Sequence, residues 1–347
     1  LRDTMVANNV ITTEIVSGIK NPLDVAISAT VQYTLPLLFS ALAMNRPNST
    51  ITLSATAIAE LIPGQIGKYC VLALDPGSAT GASTAGIQFS NGSSVDLSQC
   101  GIEVNATGTD ALYLTGGASL LATSVSVGGG YVVTQGASMT VSGTTTTNAT
   151  TPGANPYATV VPPTPDTSNC VSGSPFITGQ HIPAGTYCGD LTISYGTVTM
   201  GPGTIIINNG NFNPGGGSTI NATAAGGTTI VMTSSGGGTV GSMNIGNGIT
   251  LNITAPTTGP LAGIALFDPA GTATSNIAGG ASMNVNGAMV FPTSIVDYSN
   301  GSNNSGAACT QLIAYQVVFT GGATFANNCA GTGTQGIGAN TTTTLVQ

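Results

Sequence analysis

Gly136-Ala-Ser-Met-Thr-Val and Gly280-Ala-Ser-Met-Asn-Val share one phrase: a glycine, a pair of small residues, then apolar and polar residues in alternation. It recurs as Gly92-Ser-Ser-Val-Asp-Leu, Gly117-Ala-Ser-Leu-Leu-Ala, Gly217-Ser-Thr-Ile-Asn-Ala and Gly322-Ala-Thr-Phe-Ala-Asn. Taken in chain order, the intervals between these glycines are 25, 19, 81, 63 and 42, and the last three are close to four, three and two times 21. Gly196-Thr-Val-Thr-Met, one such interval before Gly217, falls on the same grid. Alternation marks a strand with one buried face, and the glycine marks a tight turn before it. A period of about 20 with several short strands per repeat is the signature of a parallel β-helix, or β-solenoid, in which each coil hydrogen-bonds to the coils above and below. The competing reading is a β-sandwich, whose hairpin turns come at a shorter and stricter spacing.

Charge agrees with stacking. Only 5% of the 347 residues are charged, where a soluble domain carries about 25%. The basic residues are Arg2, Lys20, Arg46 and Lys68, none follows Lys68, and eight of the twelve acids do, so the net charge of −8 belongs to that later stretch. Like charges repeated coil upon coil would repel at a spacing of about 4.8 Å, whereas Thr, Ser and Asn stack in ladders. A long segment without Lys or Arg cannot neutralise phosphates, which excludes nucleic acid and anionic lipid as partners. A hydrophobic content of 41% excludes a disordered acidic tail. A surface so poor in charge is prone to associate.

The expected fold is therefore mainly β, a parallel β-helix preceded by a small α/β module over residues 1–68. In that module Met5, Val6, Val10, Ile11, Ile15 and Ile19 suit one face of a helix, and their β-branched members suit a strand almost equally. Val25 to Tyr33 and Ile51 to Ala59 alternate as strands, Phe39 to Met44 reads as a short helix, and Pro63-Gly64 closes the module. Residues 69–143 form a first solenoid stack and 170–347 a second. Between them, 144–169 is Thr/Pro-rich and reads as an extended segment that divides the stacks or carries the chain from one end to the other. The longest apolar run, Leu35 to Met44, contains Pro36 and is far short of the roughly 20 residues that span a bilayer. Because the sequence starts at Leu1, a leader or anchor before it is expected.

Six cysteines allow fifteen pairings. The pairs Cys70 with Cys100, Cys170 with Cys188, and Cys309 with Cys329 each close a short loop, and none of the six lies in a CxxC zinc pattern. Disulfides imply an oxidising compartment: periplasm, cell surface or outside. No catalytic, cofactor or metal residues are assigned. The solenoid offers one histidine, His181 in Gly-Gln-His-Ile-Pro, and no Arg or Lys to assist carboxylates in the manner of polysaccharide-cleaving β-helix enzymes. Asp190, Asp268 and Asp297 remain open as a carboxylate pair, since spacing does not place them. Asp75-Pro76-Gly77 and Asp268-Pro269-Ala270-Gly271 read as turn starters, the Asp accepting local backbone hydrogen bonds.

Cys70-Val-Leu-Ala-Leu-Asp-Pro and Val95-Asp-Leu-Ser-Gln-Cys-Gly-Ile-Glu-Val-Asn resemble the secreted region of TadG-type (TadE/G-like) proteins of bacterial tight-adherence pilus systems. Gly263-Ile-Ala-Leu-Phe, Asn286-Gly-Ala-Met-Val-Phe-Pro, Cys309-Thr-Gln-Leu-Ile-Ala, Phe319-Thr-Gly-Gly-Ala-Thr-Phe and the closing Thr344-Leu-Val-Gln continue the similarity from about residue 25 onward. The resemblance implies an envelope location, a membrane helix before Leu1 and a part in surface appendages, with no defined reaction. Some members carry an Asp-x-Ser-x-Ser metal motif; it is missing here, so metal-dependent adhesion is not carried over. The expectation is a non-enzymatic, extracellular or cell-surface structural protein that forms a homopolymer through its N-terminal module. Other pilus components or surface glycans are further expected partners. The alternatives are a monomeric accessory protein or adhesin, and a carbohydrate-active β-helix enzyme.

Overall fold

The computed structural model describes residues 9–17, 25–36, 50–61, 68–172, 176–246, 248–277, 280–299, 309–325, 328–338 and 343–345. Two compact units form, one of residues 1–65 with 340–347 and one of residues 66–339. In the first, Asn9–Ser17, Val25–Pro36, Thr50–Leu61 and Thr343–Leu345 pair in that order as an antiparallel sheet. The helical half of the α/β expectation is corrected over 9–17, which is strand. Val10, Ile11, Thr12, Thr13, Ile15 and Val16 lose side-chain freedom in a helix, and pairing with Val25–Tyr33 satisfies their backbone groups instead. Met5, Val6, Ile19, Pro63-Gly64 and the expected helix at Phe39 to Met44 lie outside the described residues. Thr344 and Leu345, expected in the second stack, belong to this sheet.

The second unit is mainly β, wound as a parallel β-helix with three faces, A, B and C. One coil runs Gly203–Asn208 on face A, Phe212–Pro214 on face B and Thr219–Ala222 on face C; the next runs Thr228–Thr233, Asn244–Ile245 and Thr250–Thr254. Successive coils pair in parallel register. The recurring glycine phrase is the corner from face B into face C. At Asn91-Gly92, Gly116-Gly117 and Gln135-Gly136 both residues have φ between 51° and 75°, and the next N–H donates back across the turn, as in Ser93 N–H to Ser90 O (3.0 Å). Two left-handed residues in succession make the type I′ geometry that favours glycine. The strand that follows alternates inward Val95 and Leu97, Ile220 and Ala222, Leu251 and Ile253, all buried, with outward polar residues.

The outward residues form ladders. Asn284 Nδ2 donates to Asn252 Oδ1 (2.6 Å), and Asn252 Nδ2 donates to Asn221 Oδ1 (2.8 Å). On face B, Asn276 donates to Asn244 (3.1 Å) and Asn244 to Asn213 (2.8 Å). Each amide is both donor and acceptor, so it matches its own copy one coil away, which a charged side chain cannot do.

Coil order differs from chain order. Along face A, Val171–Ser172 is followed by Gly185–Cys188, Gly203–Asn208, Thr228–Thr233, Ile264–Phe267, then 287–291 and 310–314. The next strand is Tyr69–Ala73, then Gly101–Val104, Val125–Val127 and Thr145–Thr146. The chain enters the solenoid partway along its axis, winds outward to residue 146, crosses to the opposite end, and winds back to close against its own first coil. The stacks read at 69–143 and 170–347 therefore share one ladder, joined at a seam where 310–319 meets Tyr69–Ala73 and Ile87–Phe89.

The return path is a strap over face A. Gly153 N–H donates to Asn105 Oδ1 (2.6 Å) and Asn105 Nδ2 to Gly153 O (2.9 Å); a side chain at Gly153 would collide with Glu103 and Leu72. Tyr157 is buried in a cluster with Leu72, Ile313, Val290, Ile264 and Val231, and its hydroxyl accepts from Gln335 N–H (2.9 Å). At the far end Asp166 N–H donates to Thr186 Oγ1 (3.0 Å). One aromatic side chain thus bridges both sides of the seam from outside.

Candidate functional site

The six cysteines are joined as Cys70–Cys100, Cys170–Cys188 and Cys309–Cys329, with Cα–Cα distances of 5.8, 5.7 and 4.7 Å, and none is free. Their places follow the topology. Cys70 lies in the first coil after the chain enters, Cys309 at the last coil before it leaves, and Cys170 where the strap returns. Each bond fastens a coil that has lost covalent continuity on one side, where fraying would begin. The exit at 146 has no such bond. Three disulfides fit an oxidising, non-cytoplasmic environment.

Of the carboxylates left open by the sequence, Asp190 and Asp268 have hydrogen-bond partners, whereas Asp297 Oδ1 is buried without one. Asp75 Oδ1 accepts from Gly77 N–H (2.8 Å), and its Oδ2 accepts from Gln316 Nε2 across the seam (2.6 Å). Asp268 Oδ1 accepts from Gly271 N–H (2.8 Å) and Oδ2 from Ser294 Oγ (3.0 Å), so both Asp-Pro corners are turns closed by the Asp side chain. Asp268 is fully buried, and burial pushes its carboxyl up to about 6 against the hydrogen bonds from Gly271, Ser294 and Ala270. Asp190 accepts from Asn211 N–H (2.8 Å) and Asn213 Nδ2 (3.4 Å) on face B. Asp297 pairs in register with Asn276, and burial raises its carboxyl against a bond from Ser299. His181 Nδ1 lies 2.9 Å from Thr199 Oγ1 on an exposed edge. Asp190, Asp268 and Asp297 belong to different coils, and the buried Asp268 presents no face to a substrate. Among the described residues no group of three His, Cys, Asp or Glu gathers as a metal set.

Sequence reasoning missed Glu103, which sits under the strap between Tyr69, Gly153 and Gly338. Burial raises its carboxyl, opposed by the charge of Lys68. Also unforeseen is a groove of about 890 Å³ between the strap at Pro162–Thr167 and the corner after face A, lined by Asn208, Asn209, Ser234, Ser235 and Pro269. Its wall is uncharged and mostly apolar, with Pro162, Pro163, Met232 and Val240 beside the hydroxyl and amide groups.

Two surfaces leave apolar side chains uncovered. In the small sheet, Ala29, Val31, Leu53, Ala55 and Ala57 share one face, on which Val31, Leu53 and Ala55 are exposed, Leu53 to 52%. The opposite face carries Thr30, Gln32, Thr34, Thr52, Ser54 and Thr56, with Thr30 and Thr56 hydroxyls 2.9 Å apart. In the solenoid unit Val161 on the strap and the outward Leu121 and Tyr315 are also exposed, but inward-facing apolar side chains are uncovered at the two ends. Tyr131 and Val133 sit in register over buried Leu112 and Leu114, yet are 41% and 39% exposed because no described strand follows on that side of face B. Val171, in register with buried Tyr187, is 47% exposed at the other end.

No family model, no curated protein and no solved structure matches this chain. Among the described residues no helix is long and apolar enough to cross a membrane.

Proposed function

We propose that the protein is a non-enzymatic structural component of an extracellular bacterial surface appendage, in which copies join through the small sheet of residues 1–65 and 340–347. The reading is carried by the uncovered apolar face of that sheet, Val31, Leu53 and Ala55, opposite a face of hydroxyls. An uncovered apolar sheet face marks an interaction surface in a stable exported protein. The resemblance to TadG-type proteins supports the pilus setting, and the charge-poor solenoid with stapled coils suits a durable extracellular scaffold. Electron microscopy and sedimentation of the full chain test it: the wild type forms polymers and Leu53→Lys, an exposed position, lowers the polymer fraction at least tenfold. Polymers formed equally by Leu53→Lys would refute the joint. A wild type that stays monomeric at high concentration by light scattering would refute the structural reading itself.

The second reading, a monomeric accessory protein or adhesin, draws support from the uncharged groove beside Asn208 and Ser235, whose mostly apolar wall with a few hydroxyl and amide groups suits the apolar faces and hydroxyls of a neutral glycan. Titration with neutral oligosaccharides checks it, and saturable binding lost in Ser235→Val would support it. The carbohydrate-active enzyme reading predicts turnover lost on replacing Asp268 or Asp297, and the burial of Asp268 weighs against it.

A further inference from the structure

The open ends of the solenoid are complementary in a way the small sheet does not explain. On face B one column of inward side chains runs from Val133 through Leu114, Phe89, Phe319, Tyr298 and Ile277 in unbroken register. At the opposite end of that face the outermost inward residue is Phe176, bridged to Ile193. On face C the corresponding outermost residues are Val141, in register with Ala122, and Ile182, in register with Met200. Every described pairing between two solenoid strands is parallel, the one antiparallel bridge being Tyr69 with Ile337 at the start of Tyr69–Ala73, so the winding sense is the same at both ends.

Native sheets blunt exposed edges with Lys and other charged side chains, or with Pro, which lacks an N–H. Residues 125–146 contain neither a charged residue nor a proline, and the described pairings of Tyr131–Val133, Ser138–Val141 and Thr145–Thr146 lie on one side only. The molecule also contains the kind of junction that would cover this edge. At the seam, 310–319 stacks on Tyr69–Ala73 and Ile87–Phe89 without chain continuity between them, held by Leu74 N–H to Ala314 O (2.9 Å), Ser90 N–H to Phe319 O (2.9 Å) and the Phe89–Phe319 ring stack (4.9 Å). A free coil edge of this sequence type therefore accepts another coil as a separate piece.

We infer that the 125–146 end of the solenoid is a docking surface for a second copy of this chain, which presents its 171–182 end. Phe176 of the incoming copy is set over Val133 and its Ile182 over Val141, extending the parallel ladders. The contact is heterologous, joining unlike surfaces, and so repeats without closing, giving a fibre whose axis is the solenoid axis. This rests on the reading that copies assemble, and adds a joint in which the small sheet takes no part.

The experiment uses the full chain carrying Val133→Lys, which sits at an exposed position and leaves the 171–182 end intact. Such a copy adds to a growing fibre by one end and blocks the next addition. Mixed at one part in ten with wild type, it shortens fibres severalfold by electron microscopy, and Val171→Lys, blocked at the opposite end, does the same. An unfolded variant would simply fail to enter, leaving length unchanged, so circular dichroism of each variant accompanies the assay. Folded variants that leave fibre length unchanged would overturn the end-to-end joint while leaving the polymer reading intact. A wild type that forms no fibres would overturn both.

Discussion

At the seam, strand 310–319 lies against Tyr69–Ala73 and Ile87–Phe89, coils to which the chain does not directly connect it. At the far end, Tyr131–Val133 and Ser138–Val141 have the same inward columns and the same ladder on one side, and no described strand on the other. The comparison separates what holds coils together from what merely links them. Phe319 is completely buried and packs on Phe89, Tyr298 and Phe325, whereas Val133, in the same column, remains 39% exposed. Cohesion comes from a covered column and a filled ladder; covalent continuity adds only the entropy of closing the loop.

The sharpest way to break that distinction is to truncate the same column at both places. Phe319→Ala removes a buried ring from a four-aromatic cluster and should cost about 3–5 kcal/mol in urea unfolding. Val133→Ala should cost less than about 1 kcal/mol, because much of the side chain is already in water. Equal costs would mean the terminal coil is as well covered as the seam.

Removing covalent closure is the next test. Cys309→Ser with Cys329→Ser opens a loop with a sequence separation of 20 at the coil beside the seam, an expected loss of about 3 kcal/mol. Hydrogen exchange should rise first in 310–319 and remain slow in 203–254, where each coil is covalently continuous with both neighbours. Uniform acceleration along the whole solenoid would show that the staple acts through the unfolded chain alone.

Local signals in the sequence tell most about the coils and least about the seam. Gly92, Gly117 and Gly136 announce the corner because two successive left-handed residues favour glycine, and the alternation after each corner announces which side chains face inward. Asp75 and Asp268 are readable as turns because the Asp accepts a bond from a glycine two or three positions on. The pairing of 310–314 with Tyr69–Ala73 joins segments far apart in the chain, and nothing local distinguishes that partner from any other apolar strand. The same blindness hides Thr343–Leu345 against Thr50–Leu61. Residues 9–17 are ambiguous for another reason: Val10, Ile11 and Ile15 suit one face of a helix while their β-branching suits a strand almost equally, and the neighbouring strand decides. Glu103 gives no signal, since its burial comes from a strap that crosses it only after two further coils have been wound.

Asp268 allows the interior to be compared with itself at different pH. Its carboxyl is raised from 3.8 to about 6 by burial, so the folded state holds the proton more tightly than the unfolded chain. The contribution of Asp268 to stability is therefore full below about pH 4, falls as pH rises through about 6, and levels off near 7, a loss of about 2–3 kcal/mol. Asp268→Asn keeps an acceptor for Gly271 N–H and offers Nδ2 to Ser294 Oγ, which can donate onward to Gly271 O (2.6 Å). Chemical denaturation from pH 4 to pH 7.5 should show this fall flattened in the variant. A fall of the same size in Asp268→Asn would assign it to other buried carboxyls, Glu103 first.

The smallest expected effect concerns the outer ladder, where the middle and the end of face C differ in side chains but share register. Asn252 donates to Asn221 and accepts from Asn284 at 2.8 and 2.6 Å, whereas Thr140, on the outward side of the terminal strand, follows Leu121 and Asp96 in its column. Asn252→Ala removes two hydrogen bonds but leaves half-exposed partners that water can reach, so the cost should be about 1 kcal/mol rather than the larger penalty of orphaned buried groups. Thr140→Ala should stay within about 0.5 kcal/mol. If fibres form end to end, Asn252→Ala should leave their length unchanged. The ladder steadies coils already stacked, and the uncovered columns at the ends govern whether another copy adds.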